Sequence, residues 1–382
     1  MKIFITAHSS RRGGGIVVAQ SLLAALGRVA PENEYVVTIP PNLGYEEVCT
    51  KIPLCRTYVY ETREFLKRLL WDTLGVRRLV RRENPDVLFN LGNWSWFPTR
   101  CFQATYIQWP YLCYPARHWG RRSRISLLAT ALRIRACRAL LSTFADRLYC
   151  QTPVMRNRLL KFFPNKEILL LPTKADVSTP SIADPAARPA AKKFLLFYPA
   201  LSYAHKNFGL LFETFAKFKD ALRDCVLYLT IKPEDDGGVG GAETFIRENG
   251  LSDQIVLLGE LPKAKVEALY GDADAMVFPS LLETLGIPLL EAMSAGVPVI
   301  AGDMDFSRGN CGDAALYFDA RSPEALRDAI LTLKNSPSLQ KELSLKGKKR
   351  IAAASLSWDE IAADFLNRLN RFDNEKPEIS SI

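Results

Sequence analysis

Short apolar runs alternate with stretches of helical periodicity along the whole chain. KIFITA (2–7) leads into a loop, HSSRRGGG, and then into IVVAQSLLAALGRV, whose apolar positions recur at helical spacing. EYVVTIP (34–40) precedes a helix-like stretch through EFLKRLLWDTLGVRRLVRRE. DVLFNLG (86–92), ATYIQW (104–109), RLYCQT (147–152) and EILLLP (167–172) supply further strand-like runs. Strands alternating with helices predict a mostly parallel sheet covered by helices on both faces.

Residues 173–193, TKADVSTPSIADPAARPAAKK, break the pattern and read as a linker. Beyond them the alternation restarts with KFLLFYPA (193–200), CVLYLTI (225–231), QIVLLGE (254–260), AMVFPS (275–280) and PVIAG (298–302). Helical runs lie near 207–222, 242–249, 263–271, 288–295 and 323–334. The expected fold is α/β, with two Rossmann-like doubly wound domains over 1–172 and 194–356. A last helix follows over 357–372, then a disordered tail over 373–382. A chain of 382 residues exceeds one ordinary core and suits two.

Composition narrows the class. With 48% hydrophobic and 24% charged residues, the chain reads as soluble and globular. No run approaches the ~20 apolar residues needed to span a bilayer, and the start reads as a first strand rather than a signal peptide. The eight cysteines are scattered, without a C-x-x-C pair and with only three histidines, which argues against a zinc site or a disulfide framework. A reducing cytosol is the expected compartment.

The net charge of +9 is unevenly spread: residues 1–172 carry 26 Lys/Arg against 11 Asp/Glu, and residues 173–382 carry 24 against 30. An anionic partner is therefore expected for the first half. Residues 117–138 hold seven Arg and no acid, with Leu and Ile interleaved, and residues 63–82 hold seven more basic residues. Trp71, Trp94, Trp96, Trp109 and Trp119 fall in the same half. Basic amphipathic segments with Trp suit an anionic membrane surface, though an ordinary solvated face is the plainer alternative. No nucleic-acid recognition motif is present.

The chemistry concentrates at strand ends, where open parallel sheets bind ligands. In SLLETLGIPLLEA (280–292), Glu283 and Glu291 stand eight residues apart around Gly-Ile-Pro. In one continuous helix they would be about 12 Å apart in rise and about 80° apart in azimuth, sharing no face. Pro288 belongs at a helix start. Glu283 is therefore predicted in a loop and Glu291 in the first turn of the helix that follows. Gly286 lets a ligand approach closely, and the helix start offers amides to an anion. The glycines at 13–15 form a second such loop, although the spacing matches neither G-x-G-x-x-G nor the P-loop. A third loop carries His205 and Lys206 before another helix, where Lys206 could neutralise a phosphate.

The run from LGELPKAKVEALYGDADAMVFPSLLETLGIPLLEAMSAGVPVIAG through NCGDAALYFDARSPEALRDAI resembles the C-terminal domain of retaining glycosyltransferases of the GT-B fold. It is most similar to family four, the glycosyl transferases group 1. The resemblance covers about 190–375 strongly and the rest loosely. It implies two domains facing across a cleft, with the last helix crossing back to the first. It further implies that Glu291 binds ribose hydroxyls and that Glu283 contacts the donor sugar. Backbone amides around Leu285, Gly286 and Ile287 lie near the sugar and diphosphate. Lys206, helped by His205, balances the diphosphate, and Gly14 and Gly15 close over it from the other domain. The base is expected near Ile231 and Gly259–Leu261.

Two departures from the family stand out. No Arg precedes Lys206, so Arg11 or Arg12 is an alternative source of charge. The position where relatives carry a His in the N-terminal domain offers Gln108, with His8 and His118 as substitutes. The implied activity is retaining transfer of a hexose, mannose among the candidates, from a nucleoside diphosphate sugar to a glycan hydroxyl. The acceptor is expected to be lipid-linked, in surface polysaccharide or lipopolysaccharide synthesis, on the inner face of the cytoplasmic membrane. Neither cofactor nor metal is expected beyond the nucleotide sugar as co-substrate. The alternatives are a sugar-nucleotide epimerase of similar architecture and a non-catalytic GT-B scaffold.

Overall fold

The computed structural model describes residues 1–11, 13–61, 64–120, 123–174, 193–353 and 356–373. Most of the predicted linker, nearly all of the predicted tail, and Arg12 lie outside the described residues.

The chain divides into two compact units. The first comprises Met1–Cys113, Thr130–Lys174 and the chain from Leu356, and the second comprises Tyr114–Ala129 with the chain up to Ser355. Residues 114–129 thus differ from the sequence expectation, which put them in the first domain. Tyr114 explains part of this: its hydroxyl donates to Asp305 Oδ1 at 3.0 Å, and its ring lies edge-on to Phe306.

The first unit is built on seven parallel strands: β1 (Lys2–Thr6), β2 (Glu34–Ile39), β3 (Cys55–Val59), β4 (Val87–Asn90), β5 (Phe102–Ile107), β6 (Arg147–Cys150) and β7 (Glu167–Leu170). Their spatial order is β3-β2-β1-β4-β5-β6-β7. β4, β5 and β6 are buried along their whole length, as strands of a sheet covered on both faces must be. β3 was not expected. It is a largely exposed edge strand, CRTYV, so it lacks the apolar run that would mark it.

The helix Gly14–Val29 buries Val18, Leu22, Leu23 and Leu26, one stripe at helical spacing. The last helix, Trp358–Asp373, packs in this unit. Phe365 lies 4.5 Å from the Phe89 ring of β4, Arg28 pairs with Asp359 at 2.6 Å, and Arg147 donates to the Arg368 carbonyl at 2.8 Å.

The second unit holds six parallel strands: β8 (Phe194–Tyr198), β9 (Cys225–Leu229), β10 (Ile255–Leu257), β11 (Ala275–Phe278), β12 (Val299–Gly302) and β13 (Ala315–Phe318), in the order β10-β9-β8-β11-β12-β13. Helix starts follow local chemistry. Ser322 accepts from Ala325 N with Pro323 next in sequence, and Thr152 of the first unit does the same for Met155 N before Pro153.

Each sheet reverses its order once, at β1/β4 and at β8/β11. Reversal is where the connecting loops part to opposite faces and a ligand crevice forms.

Candidate active site

In the second unit the loops leaving β8 and β11 meet. After β8 the chain passes through a single tight turn, Ala204–Lys206, and enters the helix Phe208–Lys217 at Asn207. Asn207 takes a left-handed conformation (φ 59°), tolerated because its side-chain amide donates to the carbonyls of Pro279 (3.2 Å) and Ala320 (2.9 Å). Leu281 N donates to the His205 carbonyl at 2.8 Å. The two loops are thereby bonded to each other before any side-chain charge is considered.

This puts Lys206 Nζ 2.5 Å from Glu283 Oε1, with the two side chains 13% and 11% exposed. Ser280 Oγ donates to the same oxygen at 2.8 Å, which leaves Oε2 unbonded among the described residues. The Tyr198 hydroxyl sits 3.0 Å from Ser280 Oγ and donates to the Lys206 carbonyl at 3.2 Å. Burial, with Glu283 nearby, holds the Tyr198 phenol far above its ordinary range, so it stays a neutral donor. His205 is buried, its ring stacked on Tyr203 at 5.7 Å. Ser280 and Tyr198 were not anticipated; nothing in their spacing distinguishes them from core residues.

Glu283 lies in a loop, as expected. Gly286, at φ 73°, caps the helix Ile287–Ala295, and a Cβ there would come 3.2 Å from Leu289 Cδ1. The amides of Leu285, Gly286 and Ile287 have no backbone acceptor among the described residues, as at any helix start. The Leu285 carbonyl accepts from Asn310.

Glu291 is the fifth residue of this helix and so opens its second turn rather than its first. Its carboxylate accepts from the Tyr270 hydroxyl at 3.1 Å. Burial pushes the Glu291 carboxyl up, against the lowering effects of Tyr270 and Lys263. Ile231 and Gly259 stand at the ends of β9 and β10, joined by Gly259 N donating to the Ile231 carbonyl at 3.0 Å, and Glu260 pairs with Lys232 at 3.6 Å.

The first unit gathers a different set. Gly13, at φ 58°, precedes the helix that begins with Gly14, and Gly15 leaves room for Gln108, whose Oε1 would lie 3.6 Å from an added Cβ. Gln108 Nε2 is buried without a hydrogen-bond partner among the described residues. Arg11 is held in place by two backbone carbonyls, its Nε donating to His8 (2.9 Å) and its Nη2 to Tyr60 (2.8 Å).

His8 is buried. Its Nε2 lies 2.6 Å from Asp72 Oδ1 and its Nδ1 2.8 Å from Thr38 Oγ1. Asp72, which no sequence pattern flagged, sits on a five-residue π-helix, Trp71–Gly75. His118 falls in the second unit, edge-on to Tyr114, with Arg117 Nε 3.1 Å from its Nε2. That placement corrects its expected position among first-domain residues. Among the described residues no three His, Cys, Asp or Glu side chains are grouped to hold a metal ion.

Two doubly wound parallel sheets, each reversing its strand order once, are the architecture of the GT-B fold. Residues 179–350, a little under half of the chain, match the family model described as glycosyl transferases group 1. It is 32% identical to the O-antigen chain mannosyltransferase B of Escherichia coli over 110 residues, which are 29% of this chain and 28% of that protein's length. The fold matches sucrose-phosphate synthase from Thermosynechococcus elongatus with a TM-score of 0.75 at 18% identity, over 98% of this chain and 100% of that one. It also matches HepE from Anabaena, solved with UDP and glucose, with a TM-score of 0.69 at 14% identity over 97% and 99% of the two chains.

Proposed function

We propose that this protein moves a hexosyl group from a nucleoside diphosphate sugar to a hydroxyl of a glycan acceptor, with retention at the anomeric carbon. The setting is surface polysaccharide or lipopolysaccharide synthesis, and mannose is the leading candidate sugar, since the O-antigen relative is a mannosyltransferase. The observation that carries the reading is the Lys206–Glu283 pair, tied at the switch point of the second sheet beside the amides before Ile287.

In the reaction the bond from the anomeric carbon to the diphosphate breaks, and its electron pair leaves with the diphosphate. The acceptor oxygen bonds to the same face, and its proton passes to the departing phosphate oxygen. Negative charge grows on the diphosphate, so a fixed ammonium and preset amides are the useful catalysts. Lys206 supplies the ammonium. Glu283, held through Oε1 by Lys206 and Ser280, keeps Oε2 for a sugar hydroxyl. Glu291, steadied by Tyr270, is an acceptor for ribose hydroxyls.

The reading includes peripheral attachment to the inner face of the cytoplasmic membrane. Along the helix Arg124–Phe144, Ile125, Leu128 and Leu132 are exposed at 83%, 63% and 59%, with Arg124, Arg133 and Arg135 also exposed. An apolar stripe between arginines suits an anionic lipid surface. No helix of the described residues is long and apolar enough to cross a membrane. All eight cysteines are unpaired, which fits a reducing compartment.

The deciding experiment is a thermal-shift screen of nucleoside diphosphate sugars. A true donor raises the melting temperature by mass action. Silence from every nucleotide sugar would remove the basis for the donor site.

A further inference from the structure

The loop that carries Glu283 ends on Leu285 and Gly286, and nothing within the loop decides which way the peptide between them faces. Turning that peptide over changes ψ of Leu285 and φ of Gly286, and a glycine accepts either sign of φ. The next peptide is different. Its carbonyl, on Gly286, accepts from Leu289 N at 2.9 Å and is tied to the helix Ile287–Ala295.

The first peptide is fixed from another element of the second unit. Asn310 Nδ2 donates to the Leu285 carbonyl. In a trans peptide the carbonyl and the following N–H point in opposite directions, so the Gly286 N–H is directed away from Asn310. We propose that Asn310 is a positioning residue: by holding the Leu285 carbonyl it sets the Gly286 N–H toward the diphosphate of the donor. The identity of that anion rests on the transferase reading.

Asn310 is itself braced. It lies in the last turn of the helix Asp305–Cys311, where the closing carbonyls have no acceptor role inside the helix. Arg350, from the helix Pro337–Ala353, donates from outside, through Nε to the Asn310 carbonyl and through Nη2 to the Gly309 carbonyl at 2.8 Å. Gly312, at φ 56°, leaves room for this, since a Cβ there would come 2.7 Å from Arg350 Nη1. The helix Pro337–Ala353 in turn packs closely on Ile287–Ala295: a Cβ at Gly347 would come 3.1 Å from Met293 Cγ. The side chain of Asn310 therefore starts from a fixed helix end and reaches a fixed helix start.

Direction matters because the two ends of a peptide carry opposite partial charges. With the Leu285 carbonyl held by Asn310, the N–H of Gly286 has no hydrogen-bond acceptor among the described residues and stands at the positive end of a helix, free for an anion. Turned over, the same peptide would present a carbonyl oxygen to the diphosphate and repel it. A donor whose direction is preset needs no reordering when the ligand arrives.

The test separates the phosphates from the rest of the nucleotide. The full chain is titrated with UDP, GDP and ADP by calorimetry, and with uridine, guanosine and adenosine by thermal shift. In Asn310→Ala the diphosphate that the natural chain binds is expected to lose about three- to tenfold in affinity, the effect of one misdirected hydrogen bond. The matching nucleoside is expected to bind within about twofold of its natural affinity. Asn310→Leu keeps the shape of the side chain without its donor; it should show the same split, and it serves if Asn310→Ala fails to fold. The proposal is overturned if diphosphate and nucleoside weaken by the same factor, which is a general loss of structure, or if the folded variants bind the diphosphate as tightly as the natural chain. A natural chain that binds none of the three diphosphates removes the donor-site reading and this one with it. Unchanged variants beside a natural chain that does bind remove only the role of Asn310.

Discussion

The Tyr270 hydroxyl donates to Glu291 Oε2 at 3.1 Å, from the helix Lys263–Asp272 to the helix Ile287–Ala295. This bond gives a half-buried carboxylate a fixed direction. It also offsets part of the burial that raises the carboxyl's pKa. In Tyr270→Phe the carboxylate loses that donor, at a cost of about 1.5–3 kcal/mol for a bond to a charged group. Calorimetry should find nucleotide affinity down roughly tenfold or more with little change in kcat. An unchanged affinity would mean that Glu291 does not touch the nucleotide.

The same carboxyl sets a pH dependence. Its folded-state pKa lies above the unfolded one, so between the two the folded chain holds more protons, and stability falls as pH rises through that window. Melting temperatures of the natural chain and Glu291→Gln, measured across and just above the ordinary carboxylate range, should draw apart in favour of the Gln variant as pH rises. Parallel curves would contradict the assignment.

On the proposed mechanism, Lys206→Ala takes away the ammonium that would face the leaving diphosphate. Turnover should drop by about 10²–10³, the usual cost of one charge-stabilising donor. Lys206→Arg should recover only part, because the planar guanidinium does not reproduce a compact ammonium held against Glu283. Steady-state kinetics on protein with a normal melting profile decide it, and near-normal kcat in Lys206→Ala would end the catalytic role.

Gly120 sits at φ 79°, and a Cβ there would come 2.1 Å from the Ala204 carbonyl oxygen. The clash is with backbone two residues before Lys206, so nothing flexible can yield. Gly120→Ala should cost about 2 kcal/mol or more and should lower kcat as the loop shifts. Denaturant unfolding measures the first effect and kinetics the second. A variant as stable and active as the natural chain would show that the loop accommodates the change freely.

Leu128 and Leu132 project at 63% and 59% exposure between exposed arginines. Leu128→Ser with Leu132→Ser should weaken flotation with anionic vesicles at least severalfold at low salt, while thermal stability stays unchanged. Equal binding to neutral and anionic vesicles would contradict the electrostatic part of the surface assignment.

Much of the frame was legible because its signals are local. A fully buried strand such as AMVF is apolar throughout, and a helix start such as that at Pro288 needs only its neighbours to explain it. β3 escaped because an exposed edge strand needs no apolar run. Lys206 and Glu283 were legible as candidates from their place at strand ends. Their contact was not, since it depends on Asn207 bonding across 113 residues to Ala320 and on Leu281 reaching the His205 carbonyl.

Asp72, Ser280 and Tyr270 carry no pattern in the chain that separates them from ordinary helix or core residues. They became site residues because strand order brings β1 beside β4 and β8 beside β11. The amino-acid sequence by itself determined the alternation of strands and helices, the apolar faces, the helix starts and the charge of each half, all consequences of near neighbours. Tertiary structure alone decided which loops meet, that His8 faces Asp72, that Tyr270 holds Glu291, and that residues 114–129 pack with the second unit. Pairings of that kind depend on sheet order and register, which are properties of the assembled chain.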